Sequence, residues 1–256
     1  MYSPQTQAAL LVYEGFDYTA STSLNTQNGG TGWGEAWRNG DANSSIQSPG
    51  LSYEDLPVSG NRVWANSSTY RGLDGTIGGT AGEIWISFIG RVDNATGVGY
   101  LGFYRGGDTS SFRVFLVGSA VATSHQWGLL ADATSGSQVA ATDVAGQTEV
   151  FLLTRLDYTT GGQLNAIDLW LDPVLGNQGA LGTPDATITS TALGTKDYSF
   201  DRVRVFGTSG ANADYDELRI GTTFDAVAIP EPSVWALSLG LGAWLIVLFR
   251  RRVVNA

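Results

Sequence analysis

The sequence contains no cysteine and a single histidine, His125. Disulfide bonds are therefore excluded, and so are Cys–His catalytic pairs and zinc sites built from several histidines. A Ser–His–Asp triad would have to use His125, which precedes a predicted strand and is accompanied by no nucleophile-elbow motif. We therefore expect no catalytic residues from these classes.

Charged residues are also scarce, at 15% of the chain, and acidic residues outnumber basic ones to give a formal charge of -10. Phosphate binding depends on clustered Lys and Arg that release counterions. The one basic cluster is Arg250-Arg251-Arg252, close to the last residue. The composition thus predicts that nucleic acid is not a partner.

Helical periodicity is nearly absent, and short apolar, β-branched stretches alternate with Gly, Asn, Ser, Thr and Asp. This pattern is typical of an all-β domain, and about ten strands imply two stacked antiparallel sheets. Two stretches, 83–89 and 150–156, are more continuously apolar than the others, as expected of central strands covered on both faces. The predicted strands are 10–14, 62–65, 83–92, 97–104, 112–117, 126–131, 149–157, 166–172, 202–206 and 215–220.

The C-terminal segment 229–256 has a different composition. Pro230-Glu231-Pro232 precedes an uncharged apolar run at 233–249, which the three arginines follow. As a helix this run would be roughly 25 Å long, which is sufficient to cross a thinned bilayer, so the pattern predicts one transmembrane helix. Terminal arginines favour the cytoplasmic side, which places the large domain outside.

This order of parts resembles the PEP-CTERM sorting domain of exopolysaccharide-producing Gram-negative bacteria. The resemblance implies that Pro230, Glu231, Pro232 and the arginines 250–252 form a processing and sorting motif, with the membrane protease exosortase as partner. Cleavage would move the protein from the inner membrane to the cell surface or matrix. A plain C-terminal anchor is the alternative. Residues 1–9 are expected to be a remnant of an export signal or to lie near one, with the true leader upstream.

Residues 10–228 resemble the concanavalin A-like, or LamG-like, jelly-roll superfamily. The likeness rests on a hairpin at 151–158 and 167–173 and on the framing segments 13–18 and 215–221. It implies a two-sheet antiparallel jelly-roll sandwich in which the first and last strands pair, so that neither remains an exposed edge. Jelly-roll glucanases carry Glu-x-Asp-x-x-Glu on one strand face, and this chain has no such run.

A glycine-rich region at 25–59 contains Trp33 and Trp37. Long loops of this kind are often functional, and flat apolar rings suit sugars, so both tryptophans are candidate carbohydrate contacts. The alternative is that they fold back over the open end of the core.

Four aspartates near predicted strand ends are candidate ligands for a calcium ion: Asp17, Asp172, Asp214 and Asp216. Hard cations prefer oxygen ligands, and Asp214 and Asp216 lie on one face of a strand by the period of two. Ordinary turn chemistry would equally place Asp at strand ends.

The sequence therefore favours an exported, non-enzymatic protein that binds or scaffolds carbohydrate, with exopolysaccharide in a biofilm matrix as the expected partner. A polysaccharide-acting hydrolase or lyase on the same fold is the alternative, and a structural matrix protein without a ligand is a third hypothesis.

Overall fold

A computed structural model describes residues 9–39, 44–54, 56, 58, 60–92, 98–106, 112–118, 126–131, 137–143, 148–208 and 213–228. These residues form mainly β-strands, with one 3-10 turn at Gln178–Ala180 and two short helices, α1 (Ser190–Leu193) and α2 (Phe224–Ala228). The strands are β1 Leu10–Glu14, β2 Arg38–Asn39, β3 Ser45–Gln47, β4 Arg62–Ala65, β5 Thr69–Ile77, β6 Gly82–Val92, β7 Gly99–Tyr104, β8 Phe112–Gly118, β9 Gln126–Ala131, β10 Ser137–Asp143, β11 Val150–Tyr158, β12 Leu164–Leu171, β13 Ala186–Thr189, β14 Phe200–Gly207 and β15 Ala213–Gly221.

Within the described part of the chain, the strands make two antiparallel sheets. Sheet A has the order β13-β12-β11-β6-β15-β4-β3, with β1 also paired to β15. Sheet B has the order β10-β9-β8-β7-β14-β5-β2. The predicted all-β, two-sheet architecture is confirmed.

The last strand lies inside sheet A rather than at its edge. It pairs with β6 and β4, and β1 joins it with Tyr13 opposite Arg219 and Glu14 opposite Leu218. The predicted pairing of the first and last strands is therefore confirmed. A bulge between Asp216 and Arg219 interrupts the β15–β6 ladder, and Glu217 within it has a positive φ of 51°.

The main core lies between the two sheets and is filled by alternate residues of their strands, such as Phe88 and Leu152 of sheet A and Phe103 of sheet B. Side chains on the opposite face of sheet A form a second apolar layer with α2 and with Leu51, Tyr53, Leu56 and Val58. In β6, for example, Ile86 faces the main core and Trp85 the second layer. This double coverage explains why β6 and β11 are more continuously apolar than the other strands, as the sequence indicated.

All ten predicted strands are present, each with bounds within two residues of the prediction. Five further strands, β2, β3, β5, β10 and β13, were not predicted. Among the described residues, no helix is both long and apolar enough to span a membrane. Several predicted features lie outside the described residues. They are the helix at 233–249, the N-terminal residues 1–8, His125, and the motif residues Pro230, Glu231, Pro232, Arg250, Arg251 and Arg252.

Candidate functional site

A row of polar and aromatic side chains crosses four adjacent strands on the outer face of sheet A. Arg155 of β11 lies directly opposite Trp85 of β6 and Asp168 of β12, and Asp168 lies opposite Thr187 of β13. Because side chains alternate along a strand, these four residues project from the same face of the sheet. Trp170, two residues after Asp168, joins them on that face.

The row forms one side of a groove of about 390 Å³, and the segment 178–184 forms the other side. The rings of Trp85 and Trp170 are stacked, with centroids 5.9 Å apart and planes inclined by 20°. The indole N–H of Trp170 donates to the Gly182 carbonyl at 3.3 Å and so fastens the segment to the sheet. Gln178, Leu181 and Pro184 complete the lining. We call this feature the groove. Its volume lies within the usual range for small-molecule sites.

Asp168 fixes the polar part of the groove. Its Oδ2 accepts from Nε and a terminal nitrogen of Arg155, at 3.1 and 2.6 Å, and its Oδ1 accepts from Thr187 at 2.8 Å. Arg155 also contacts Glu83 at 3.2 Å. Burial lowers the pKa of Arg155, but the hydrogen bond and charge of Asp168, aided by Glu83, outweigh this effect and raise it overall. The guanidinium is thus held charged and in one orientation.

The groove can bind a small polar ligand through side chains whose orientation is fixed. Trp85 and Trp170 are themselves buried, at 1% and 6% exposure, so they form the floor of the groove beneath donors and acceptors of fixed direction. A general acid must hold a transferable proton, whereas both oxygens of Asp168 already accept hydrogen bonds from Arg155 and Thr187.

The side chain of Trp37, a predicted sugar contact, is only 1% exposed. Its indole N–H donates to Glu14 Oε2 at 2.9 Å, and its ring packs 5.5 Å from that of Trp33. Trp33 is partly buried, donates to the Tyr13 carbonyl at 3.0 Å, and has the Arg71 guanidinium 4.6 Å from its ring centroid. Both residues fold back onto the core, which was the alternative interpretation.

A buried ion pair explains why this glycine-rich region is ordered. Glu14 and Arg71 are each about 1% exposed and 2.5 Å apart. Glu14 Oε2 also accepts from Tyr18 at 2.9 Å, and Arg71 donates to Asn28 Oδ1 and to the Glu35 carbonyl, both at 2.8 Å. We call Glu14, Arg71 and these contacts the Glu14–Arg71 cluster. Its donors and acceptors hold residues 28–37 against β1 and β5.

The four candidate calcium ligands are not gathered into one site. Asp214 is paired with Arg62 and Arg91, at 3.0 and 2.5 Å. Asp172 accepts from the Phe151 amide at 2.8 Å on the outer face of sheet A. Across the described residues, no group of three or more His, Asp or Glu side chains is arranged to hold a metal ion.

Asp216 and Asp17 do lie near each other. Asp216 is fully buried and accepts from the amides of Leu51 and Glu217, each at 2.9 Å. Burial raises the pKa of Asp216 to about 9, and the charges of Glu217 and Asp17 add to this rise, while the two amide hydrogen bonds oppose it. As predicted, Asp214 and Asp216 lie on one face of β15, which is the outer face of sheet A.

Sequence reasoning missed the groove residues Trp85, Arg155, Asp168 and Trp170. A signal was present, because Arg155 and Asp168 are charged residues within two largely apolar strands. Their pairing, however, depends on the register between strands, which no local pattern shows.

No protein-family model matches the chain, and no curated protein sequence matches it. Among solved structures, it is similar to a glycosyl hydrolase family protein from Mycobacterium fortuitum, with 12% identity, a TM-score of 0.46, and coverage of 83% of this chain and 99% of that one. The carbohydrate-binding module CBM66 from Bacillus subtilis is similar at 9% identity and a TM-score of 0.37, covering 68% and 92%. For the structure named HCR/D-Sa-GBL1/C the identity is 10% and the TM-score 0.44; the alignment covers 84% of this chain and about half, 52%, of that one. Similarity at this level assigns neither a family nor a function.

Proposed function

We propose that residues 10–228 form a non-enzymatic carbohydrate-binding domain of the jelly-roll type, and that the groove binds a neutral sugar unit. The observation that carries this proposal is the fixed row of Trp85, Arg155, Asp168 and Thr187 beside Trp170. The hydroxyl groups of a pyranose ring pair with oriented Arg and Asp side chains, and here these lie above a floor formed by the buried Trp85 and Trp170 rings. Arg155 is balanced by Asp168 and Glu83, so the groove has no surplus positive charge that would select an anionic sugar.

The test is a calorimetric titration of the purified domain with neutral hexasaccharides of glucose, mannose and galactose. We expect at least one to bind, and we expect Gln178→Ala and Trp170→Leu each to weaken that binding several-fold. Val174→Ala is the matched control, because Val174 lies on the neighbouring surface, is 67% exposed, and does not line the groove. Binding that is unchanged in both groove variants would refute the assignment of the site.

The same samples test whether the domain is an enzyme. After prolonged incubation the hexasaccharides should retain their mass, because Asp168 is committed to Arg155 and Thr187. Shortened or unsaturated products would instead support the hydrolase or lyase alternative.

We further propose that the tail directs this domain to the surface of a Gram-negative cell. The proposal rests on Pro230-Glu231-Pro232, the apolar run 233–249 and the terminal arginines. Exosortase would cut near the tripeptide, and the domain would remain in an exopolysaccharide matrix, where its sugar binding would serve to scaffold the polymer.

A further inference from the structure

An arginine on sheet B is enclosed by aromatic rings. Arg204 of β14 projects from the outer face of this sheet, opposite Tyr70 of β5 on one side and Gly102 of β7 on the other. The centroids of four rings lie 4.7 to 5.9 Å from its guanidinium carbon: Phe206, Tyr70, Tyr100 and Tyr104. The rings of Tyr100 and Phe206 are stacked at 4.4 Å. We call these five residues the Arg204 face.

The guanidinium of Arg204 has hydrogen-bond partners but no carboxylate. It donates to the Tyr104 hydroxyl at 3.0 Å and to the Ser68 hydroxyl, and its Nε is buried without an acceptor. In the described residues, no Asp or Glu lies within ion-pair distance of Arg204, whereas Arg71 and Arg155 are each paired with an acid. Arg204 is therefore a partly buried cation that has no counter-ion among the described residues, in a protein whose net charge is -10.

The surrounding phenols do not supply the missing negative charge. Burial raises the pKa of both Tyr100 and Tyr104 above the usual value, so both hydroxyls are neutral at physiological pH. Cation–π contacts stabilise the guanidinium in part, but they leave its planar donor edge incompletely used. A partly desolvated arginine in this state has a strong preference for an anionic group.

We propose that the Arg204 face binds the carboxylate of an acidic sugar, with a hexuronate unit of a polysaccharide as the ligand class. The guanidinium takes the carboxylate, and the partly exposed Phe206 ring, stacked on the buried Tyr100, provides apolar surface for the sugar ring. Arg204 and Phe206 are both partly exposed, which leaves them accessible to a ligand. This site lies on the opposite sheet from the groove and goes beyond the proposed function, since it selects charged rather than neutral sugars.

The test compares two trisaccharides that differ only in charge. Tri-galacturonate and its fully methyl-esterified form are titrated into the wild-type protein, and sodium acetate serves as the free-anion probe. We expect the acid trimer to bind at least about tenfold more tightly than the ester, because a charge-assisted, bidentate contact is lost on esterification. Binding of the acid trimer should also weaken several-fold between 50 and 500 mM salt.

Arg204→Gln should reduce the affinity for tri-galacturonate at least about tenfold. The control Arg105→Gln removes the same charge from the residue that follows β7, but Arg105 is paired with Asp197, so its effect should stay below twofold. If Arg204→Gln fails to fold, Arg204→Lys replaces it, and the loss of the planar fork should still weaken binding measurably.

Three results would overturn the proposal: equal affinity for acid and ester, unchanged affinity in the folded Arg204 variant, or acetate binding as tightly as the trimer, which would indicate a simple anion site. Trp170→Leu separates this proposal from the groove. This variant should bind neutral hexasaccharides more weakly and tri-galacturonate with unchanged affinity. Each of the two site assignments can therefore be refuted independently of the other.

Discussion

Replacing Arg71 by Met should be among the most destabilising single substitutions in the domain that leave its apolar core unchanged. The change removes hydrogen bonds to Glu14, Asn28 and the Glu35 carbonyl, and it leaves the Glu14 carboxylate buried with neutral donors only. Removing one partner of a buried ion pair costs about 3–5 kcal/mol, because the remaining charge is uncompensated. Domains of this size are typically stable by about 5–15 kcal/mol, so the variant should still fold.

Urea unfolding followed by tryptophan fluorescence measures this cost, and the native emission should also shift because Arg71 contacts the Trp33 ring. Arg38→Met is the control. Arg38 also pairs with a glutamate, Glu35 at 3.2 Å, but these side chains are 45% and 36% exposed, so the cost should be about 0–1 kcal/mol. The double variant Glu14→Gln/Arg71→Met should be less destabilised than the sum of its single changes, because no charge is then left buried. Equal costs for Arg71→Met and Arg38→Met would refute the reasoning.

Three further outcomes are expected. In denaturant unfolding, Gly30→Ala should lower the free energy of unfolding by at least about 2 kcal/mol more than Gly106→Ala. Both glycines have φ near +70°, but their surroundings differ. A Cβ at Gly30 would lie 2.2 Å from the Tyr13 carbonyl oxygen, whereas a Cβ at Gly106 would meet nothing within 4 Å. The raised pKa of Asp216, about 9, lies above that of an unfolded Asp, so the folded state retains a proton that the unfolded state has lost. Stability should therefore be greatest at acid pH and fall towards pH 9, by up to about 1.4 kcal/mol per unit, and Asp216→Asn should flatten this slope; a wild-type curve that rises over this range would contradict it. In the native host, alanine substitution of the 230–232 tripeptide should retain a full-length protein at the inner membrane, whereas intact-mass analysis of wild type should show loss of the tail; identical masses would indicate a plain anchor.

Much of the sandwich could be predicted because side-chain alternation within a strand is a local property. The unpredicted strands show where this fails. Strand β5, Thr69–Ile77, contains two glycines and an aspartate, which favour a turn when read locally. Strand β13 has only four residues and lies at the end of sheet A. Its strand conformation depends on pairing with β12 rather than on the intrinsic β-propensity of its residues.

The functional residues could be predicted less well, because their neighbours are distant in sequence. Trp37 has the residue type of a sugar contact, but its burial follows from Glu14 and Arg71, which are 23 and more than 30 residues away. Likewise, Trp85 and Thr187 line one groove only because β6, β11, β12 and β13 pair in one register. Residue type indicated the chemistry, whereas register decided which residues share a site.

The position of β15 in the middle of sheet A affects when the domain can fold. Neither β1 nor β4 can take its place in the sheet until residues 213–221 have been synthesised, because both bond to that strand. The nascent chain therefore remains incompletely paired until almost all of residues 10–228 have left the ribosome. This strand order therefore favours folding after synthesis of the domain rather than during it.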